Sequence, residues 1–159
     1  MATTLTAATM TVTISESITL NGKNQGGTTT KTFASIAEIT KRILTITTAE
    51  STIATFSAAV ASAGHFIAAD VRYIRFTNLD DENFITLTFR NQDNDEAAIK
   101  LDSGQSFIWN ADNSGGLVDV LNATQDADAA SDTALGDLTN IQADASTGTV
   151  DLEIFIASV

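Results

Sequence analysis

One histidine, no cysteine and three carboxylate clusters are the side chains here whose types could do chemistry. With His65 as the lone imidazole and no thiolate, a transition-metal site would have to be built from carboxylates. A Ser-His-Asp arrangement would also depend on His65, and no Gly-x-Ser-x-Gly elbow surrounds any serine. Gly26-Gly27 and Gly115-Gly116 lack the Lys-Ser/Thr helix start that makes a phosphate cradle. The clusters Asp80-Asp81-Glu82, Asp93-x-Asp95-Glu96 and Asp126-x-Asp128 with Asp132 offer the hard oxygens that calcium prefers, though none has EF-hand spacing. The competing reading is a solvated turn, because Asp and Asn side chains bond their own backbone there. Carboxylate pairs for glycoside hydrolysis are present by type, but aromatics to flank a sugar groove are few. Trp109 and Tyr73 sit inside alternating strands and read as core or interface anchors. No cofactor and no enzymatic activity are expected.

The elements that would position these groups are strands. From Val71 to Trp109 four short strands alternate with polar turns, most clearly in Ile85-Thr86-Leu87-Thr88-Phe89. Period two puts one face in the core and one in water, so this stretch reads as an antiparallel meander needing cover from elsewhere. Thr86, Thr88, Thr11 and Thr13 would form wet outer faces. In Val71–Phe76 both faces are partly apolar, as in a central strand. Upstream, 10–20 reads as one strand and 21–31 as a flexible loop, despite the turn signal Asn21-Gly22. Ser35-Ile-Ala-Glu38 has capping-box spacing, suggesting a helical turn before a strand over 38–48. A strand at 51–56, and a loop or single helical turn at 58–63, precede the meander. The region 110–137 is long and polar with an apolar island at 117–121, a pattern typical of functional loops. In the final strand Val150, Leu152, Ile154 and Ile156 share one face. The expected fold is an all-β antiparallel β-sandwich, jelly-roll-like, over 10–159, with a flexible N-terminal arm over 1–9.

Composition narrows the partners. The chain has 159 residues, 20 acidic against 8 basic, and a net charge of -12. Phosphate neutralisation needs clustered Lys and Arg, so no nucleic acid is expected, and anionic membranes are disfavoured too. No apolar run reaches bilayer length. The opening MATTLTAATMTVTI lacks a basic region and an apolar block, so it does not read as a signal peptide, and synthesis in a host cytoplasm is expected.

Several phrases carry a likeness: Arg75-Phe-Thr-Asn-Leu-Asp80, Asn83-Phe-Ile-Thr-Leu87, Lys100-Leu-Asp-Ser-Gly104-Gln-Ser-Phe107 and Asp151-Leu-Glu-Ile-Phe-Ile156, with Glu38-Ile-Thr-Lys-Arg42 in the same pattern. Together they cover about two-thirds of the chain. They resemble small β-rich virion structural proteins of marine tailed bacteriophages, and they are strand-and-turn phrases without a catalytic signature. The resemblance implies a non-enzymatic subunit of a phage particle.

The leading expectation is therefore a capsid decoration (cement) protein on the outer shell, contacting the major capsid protein and copies of itself as a homotrimer. A tail or neck component is the first alternative and a calcium-dependent glycan-binding module the second. Apolar side chains in the arm and the long loop are the expected interface: Leu5, Met10, Phe66, Leu117, Val118, Val120 and Leu121.

Overall fold

The computed structural model describes residues 6–60, 62–123 and 135–159. Among them the chain forms an antiparallel all-β sandwich. In chain order the strands are β1 (Ala8–Ser15), β2 (Thr19–Leu20), β3 (Lys23–Asn24), β4 (Thr28–Ile36), β5 (Glu38–Thr47), β6 (Ser51–Ser57) and β7 (His65–Ile67). A single 3-10 turn at Ala68–Asp70 follows, then β8 (Val71–Asn78), β9 (Ile85–Asn91), β10 (Glu96–Leu101), β11 (Ser106–Asn110), β12 (Leu138–Ala145) and β13 (Thr149–Ser158). One sheet runs β10-β9-β12-β6-β7 and the other β11-β8-β13-β5. Only β6 and β7 pair in parallel.

A single core lies between the sheets. Ile74, Phe76, Leu152, Ile154 and Ile156 from one sheet face Ile85, Leu87, Phe89 and Ile141 from the other. Each such side chain contributes about 1.5–3 kcal/mol by leaving water. β13 has β5 on one side and β8 on the other, and its Val150, Leu152, Ile154 and Ile156 all point inward. As its two apolar faces suggested, β8 is central too, between β11 and β13.

The stretch Val71–Trp109 is not a meander. β9 pairs β10, β8 pairs β11, and the two pairs belong to opposite sheets. A meander would turn every apolar face the same way and leave it open. Crossing between sheets at 79–84 and 102–105 sets one half of the stretch over the other. Asn78, fully buried, anchors that crossing: its Nδ2 donates to the carbonyls of Asn83 (2.8 Å) and Leu101 (3.1 Å), and its Oδ1 accepts from the Asp80 amide. Thr88 is buried rather than wet, because β9 is an interior strand and Thr88 is flanked by Ala98 and Gln142.

Residues 8–36 differ most from expectation. Strand 10–20 stops at Ser15, and 21–31 is no loop. β1 and β4 pair from Ala8↔Ile36 to Ser15↔Thr28 as a two-stranded ribbon, capped by the small β2/β3 hairpin. Asn21 (φ 51°) and Gly22 (φ 73°) supply the two left-handed residues of a tight hairpin turn, so the Asn-Gly signal does lead straight back into a strand. The helical turn before β5 is absent as well. Ser35 has φ 61° and sits at a register shift opposite Ala8/Met10, a bulge that turns Ile36 to the same side as Phe33. That bulge falls on Ser35, the first residue of the phrase whose capping-box spacing suggested a helical turn. Phe33 and Ile36 then pack on Tyr73 and Ala157, on the outer face of the β8/β13 sheet, in a second and smaller cluster.

Candidate functional site

Two carboxylates in the exposed turns are held by their own backbone. Asp80 accepts from the amides of Glu82 (2.8 Å) and Asn83 (2.6 Å), which holds its carboxyl below the usual carboxylate range. Asp112 accepts from the Ser114 hydroxyl and amide and the Gly115 amide, and its pKa falls to about 2. Both are Asx turns, which for Asp80 is the solvated-turn reading of its cluster. No group of three or more His, Cys, Asp or Glu side chains converges on a metal position among the described residues. Asp126, Asp128 and Asp132 lie outside them. His65 is half-buried in β7, opposite Thr55, at the rim of a hollow shared with Arg42.

The expected interface residues separate into three groups. Phe66 is 5% exposed and Leu117 fully buried, so both belong to the core and offer no area to a partner. Phe66 stacks near Phe56 at 5.9 Å; Leu117 is pinned by its amide on the Ala68 carbonyl and by its carbonyl on the Leu138 amide. The island 117–121 is thus laid along the body as a cover. Leu5 lies outside the described residues. Met10, Val118, Val120 and Leu121 are half-buried, Met10 against the outer cluster and the other three against the main core.

Val120 and Leu121 help to form the one apolar, aromatic cleft of note among the described residues. It opens where the edge strands β10 and β11 of the two sheets come together, and it encloses about 320 Å³. Phe89 forms its floor, with Phe107 at 5.3 Å and Trp109 at 5.6 Å, both in tilted or edge-on contact. Ala97 and Ile99 form the β10 wall. No polar group converges inside it, so the cleft suits an apolar side chain better than a reacting substrate. Beyond Trp109 it continues into a polar-rimmed hollow of about 600 Å³, bordered by Lys31, Asp112, Asp119, Val120 and Leu135.

No family model matches this chain, and neither a curated protein nor a solved structure matches it. The site therefore has to be read from its own geometry.

Lys31 at the border of that hollow shows which way the ribbon faces. Cross-strand partners share a face, so Met10 with Phe33, Val12 with Lys31 and Ile14 with Thr29 form the side turned to the body. Thr11, Thr13, Thr30 and Thr32 take the other side. Along the inner side Met10 and Val12 pack on the outer cluster, but Ile14 is 43% exposed, and at the tip Ile18 and Leu20 reach 54% and 59%. The apolar stripe outruns the surface that covers it.

Two kinds of residue that the geometry singles out escape the sequence pattern. Ile14, Ile18 and Leu20 do so because the ribbon reads as a strand and a loop. Asn78 and Asn91 do so because buried amides look like turn residues in sequence. Asn91, 1% exposed, repeats the device of Asn78: Oδ1 accepts from the Asp93 and Asp95 amides, and Nδ2 donates to the Leu121 carbonyl. The signal was the repeated phrase Phe-x-Asn-x-Asp at 76–80 and 89–93.

Proposed function

We propose that this chain is a non-enzymatic phage virion structural protein, a capsid decoration (cement) subunit that binds and stabilises the outer shell. It contacts the major capsid protein and copies of itself, with a homotrimer as the working assembly. The observation that supports this reading best is the ribbon. A closed sandwich carries an apolar stripe that packs on its own outer cluster at Met10 and Val12 and is bare at Ile14, Ile18 and Leu20, and bare apolar surface of that kind marks protein–protein contact. At about 3.3 Å per residue an eight-residue strand reaches about 26 Å, enough to bridge to a neighbouring subunit.

Counting copies in purified particles tests it. A decoration protein is present in hundreds of copies at symmetric shell positions in a cryo-EM reconstruction. A single ring of copies at the portal or tail would favour the neck or tail alternative, and absence from the particle would remove the virion reading altogether.

A further inference from the structure

We propose that the hollow between β5 and β6 binds an oxyanion, a carboxylate, phosphate or sulfate group carried by a small molecule, with Arg42 as the cation that pairs with it. The lining runs against the composition. The chain holds 20 acidic against 8 basic residues, yet the polar side chains around this hollow of about 340 Å³ are those of Arg42, Thr52, Thr55 and His65. Each of the four can donate a hydrogen bond and none is a carboxylate. Ligand pockets run from about 300 to 1,000 Å³, so this one suits a small molecule rather than a polymer.

The fold holds the Arg42 guanidinium in place without neutralising it. Arg42 is half-buried and shares the inward side of the edge strand β5 with Leu44 and Ile46. It reaches across to the other sheet, where Nη2 donates to the Ile53 carbonyl at 2.5 Å. Ile53 is the residue that a bulge in β6 leaves without a partner on β12. Gly64, at φ 85°, lies against the same guanidinium, and a Cβ there would stand 3.3 Å from Nη2. Nε is buried with no acceptor among the described residues, and Arg42 joins none of their ion pairs. Arg75 and Arg90, by contrast, each face a glutamate. If Arg42 served only to cap the Ile53 carbonyl, an uncharged donor would do, and its charge would be a burden at a half-buried position. An oxyanion in the hollow supplies the counter-charge through the charge-assisted hydrogen bonds that a guanidinium forms with carboxylate, phosphate and sulfate oxygens. His65, opposite Thr55 in the parallel β6/β7 pair, and the two threonine hydroxyls add neutral donors around it.

An NMR titration of the unaltered, isotopically labelled chain tests the site. Sodium phosphate, sodium sulfate and sodium acetate are each compared with sodium chloride at equal ionic strength and fixed pH. Saturable shifts centred on the amides of Thr55, Gly64 and His65 are expected with at least one of the three oxyanions, and the one that saturates at the lowest concentration names the chemical class. Arg42→Gln keeps a donor for Ile53 and removes the charge, so it should raise the half-saturation concentration at least about tenfold. Thr52→Val with Thr55→Val leaves the Arg42–Ile53 contact in place and should raise it about threefold, which keeps the proposal testable if Arg42→Gln does not fold. No saturable shift with any of the three anions overturns the proposal. So do shifts scattered over the surface without a centre at the hollow, or a titration that neither variant alters. The titration uses the purified chain alone, so a chain absent from phage particles would remove the virion reading and leave this one standing.

Discussion

The ribbon β1/β4 and the strand β13 carry the same alternating pattern and end in different surroundings. In β13 the even-numbered apolar residues meet a second sheet and are sealed. In β1 the even-numbered residues Met10, Val12 and Ile14 meet only the outer face of a sheet, and that face ends before the ribbon does. Alternation therefore reports that a face will be covered; it does not report by what, or by which molecule. A strand with neighbours on both edges inherits its cover from the fold. A two-stranded ribbon, with both outer edges unpaired, has to find it.

The sharpest way to break this contrast is to delete the same chemistry in both regions. Leu152→Ala should cost about 3–4 kcal/mol in urea unfolding, as a cavity in a dense core does, whereas Ile14→Ala should stay within about 0.5 kcal/mol in dilute protein. Equal costs would mean that Ile14 is covered within its own chain.

A second pair uses glycines. A Cβ on Gly116 (φ 62°) would lie 2.2 Å from the Ala68 carbonyl oxygen, and one on Gly26 would lie 2.1 Å from the Glu16 carbonyl oxygen. Gly116→Ala should destabilise the whole body by about 3 kcal/mol, while Gly26→Ala should open only the ribbon tip. Hydrogen exchange separates the two outcomes: fast exchange confined to residues 14–28 is expected for Gly26→Ala, and global loss of protection would make ribbon and body one cooperative unit.

Asn78→Ala should cost about 2 kcal/mol, because two buried carbonyls and the Asp80 amide lose their partner at the sheet crossing. The smallest effect expected is with pH. Glu153 accepts from Arg75 at 2.6 Å and pairs with Lys41 at 3.1 Å, which holds its carboxyl below its ordinary value. A carboxyl whose folded pKa lies below its unfolded one adds stability above the unfolded value and loses it as pH falls through the folded one. Unfolding midpoints should therefore decline slightly as pH drops below the usual carboxylate range. Glu153→Gln should flatten that part of the decline, and an unchanged slope would show the pair to be energetically silent.

Much of this was legible beforehand, for identifiable reasons. The strands at 85–89 and 150–156 follow from period two, a local property of the chain. The Asx turn at Asp80 follows from residue type. Phe66 and Leu117 were misjudged because a short apolar island in polar surroundings looks the same whether it seals its own core or binds another protein. β4 is hidden in sequence because its first half continues a Gly-, Asn- and Thr-rich run that reads as loop and its end falls on the capping-box phrase Ser35–Glu38, and only the crossing of the chain buries Asn78.

By itself the sequence determined that the chain is all β, that Ile85, Leu87 and Phe89 in β9 and Val150, Leu152, Ile154 and Ile156 in β13 would share the apolar side, and that thiolate chemistry has no place in it. These are matters of residue type and two-residue rhythm. Only the tertiary structure decided that one continuous stretch would be divided between two sheets, that residues 117–121 would be drawn onto the body, and that residues 8–36 would form a ribbon longer than the surface beneath it. Cover for an apolar face comes from residues distant in the chain, or from another chain, and no local pattern encodes which.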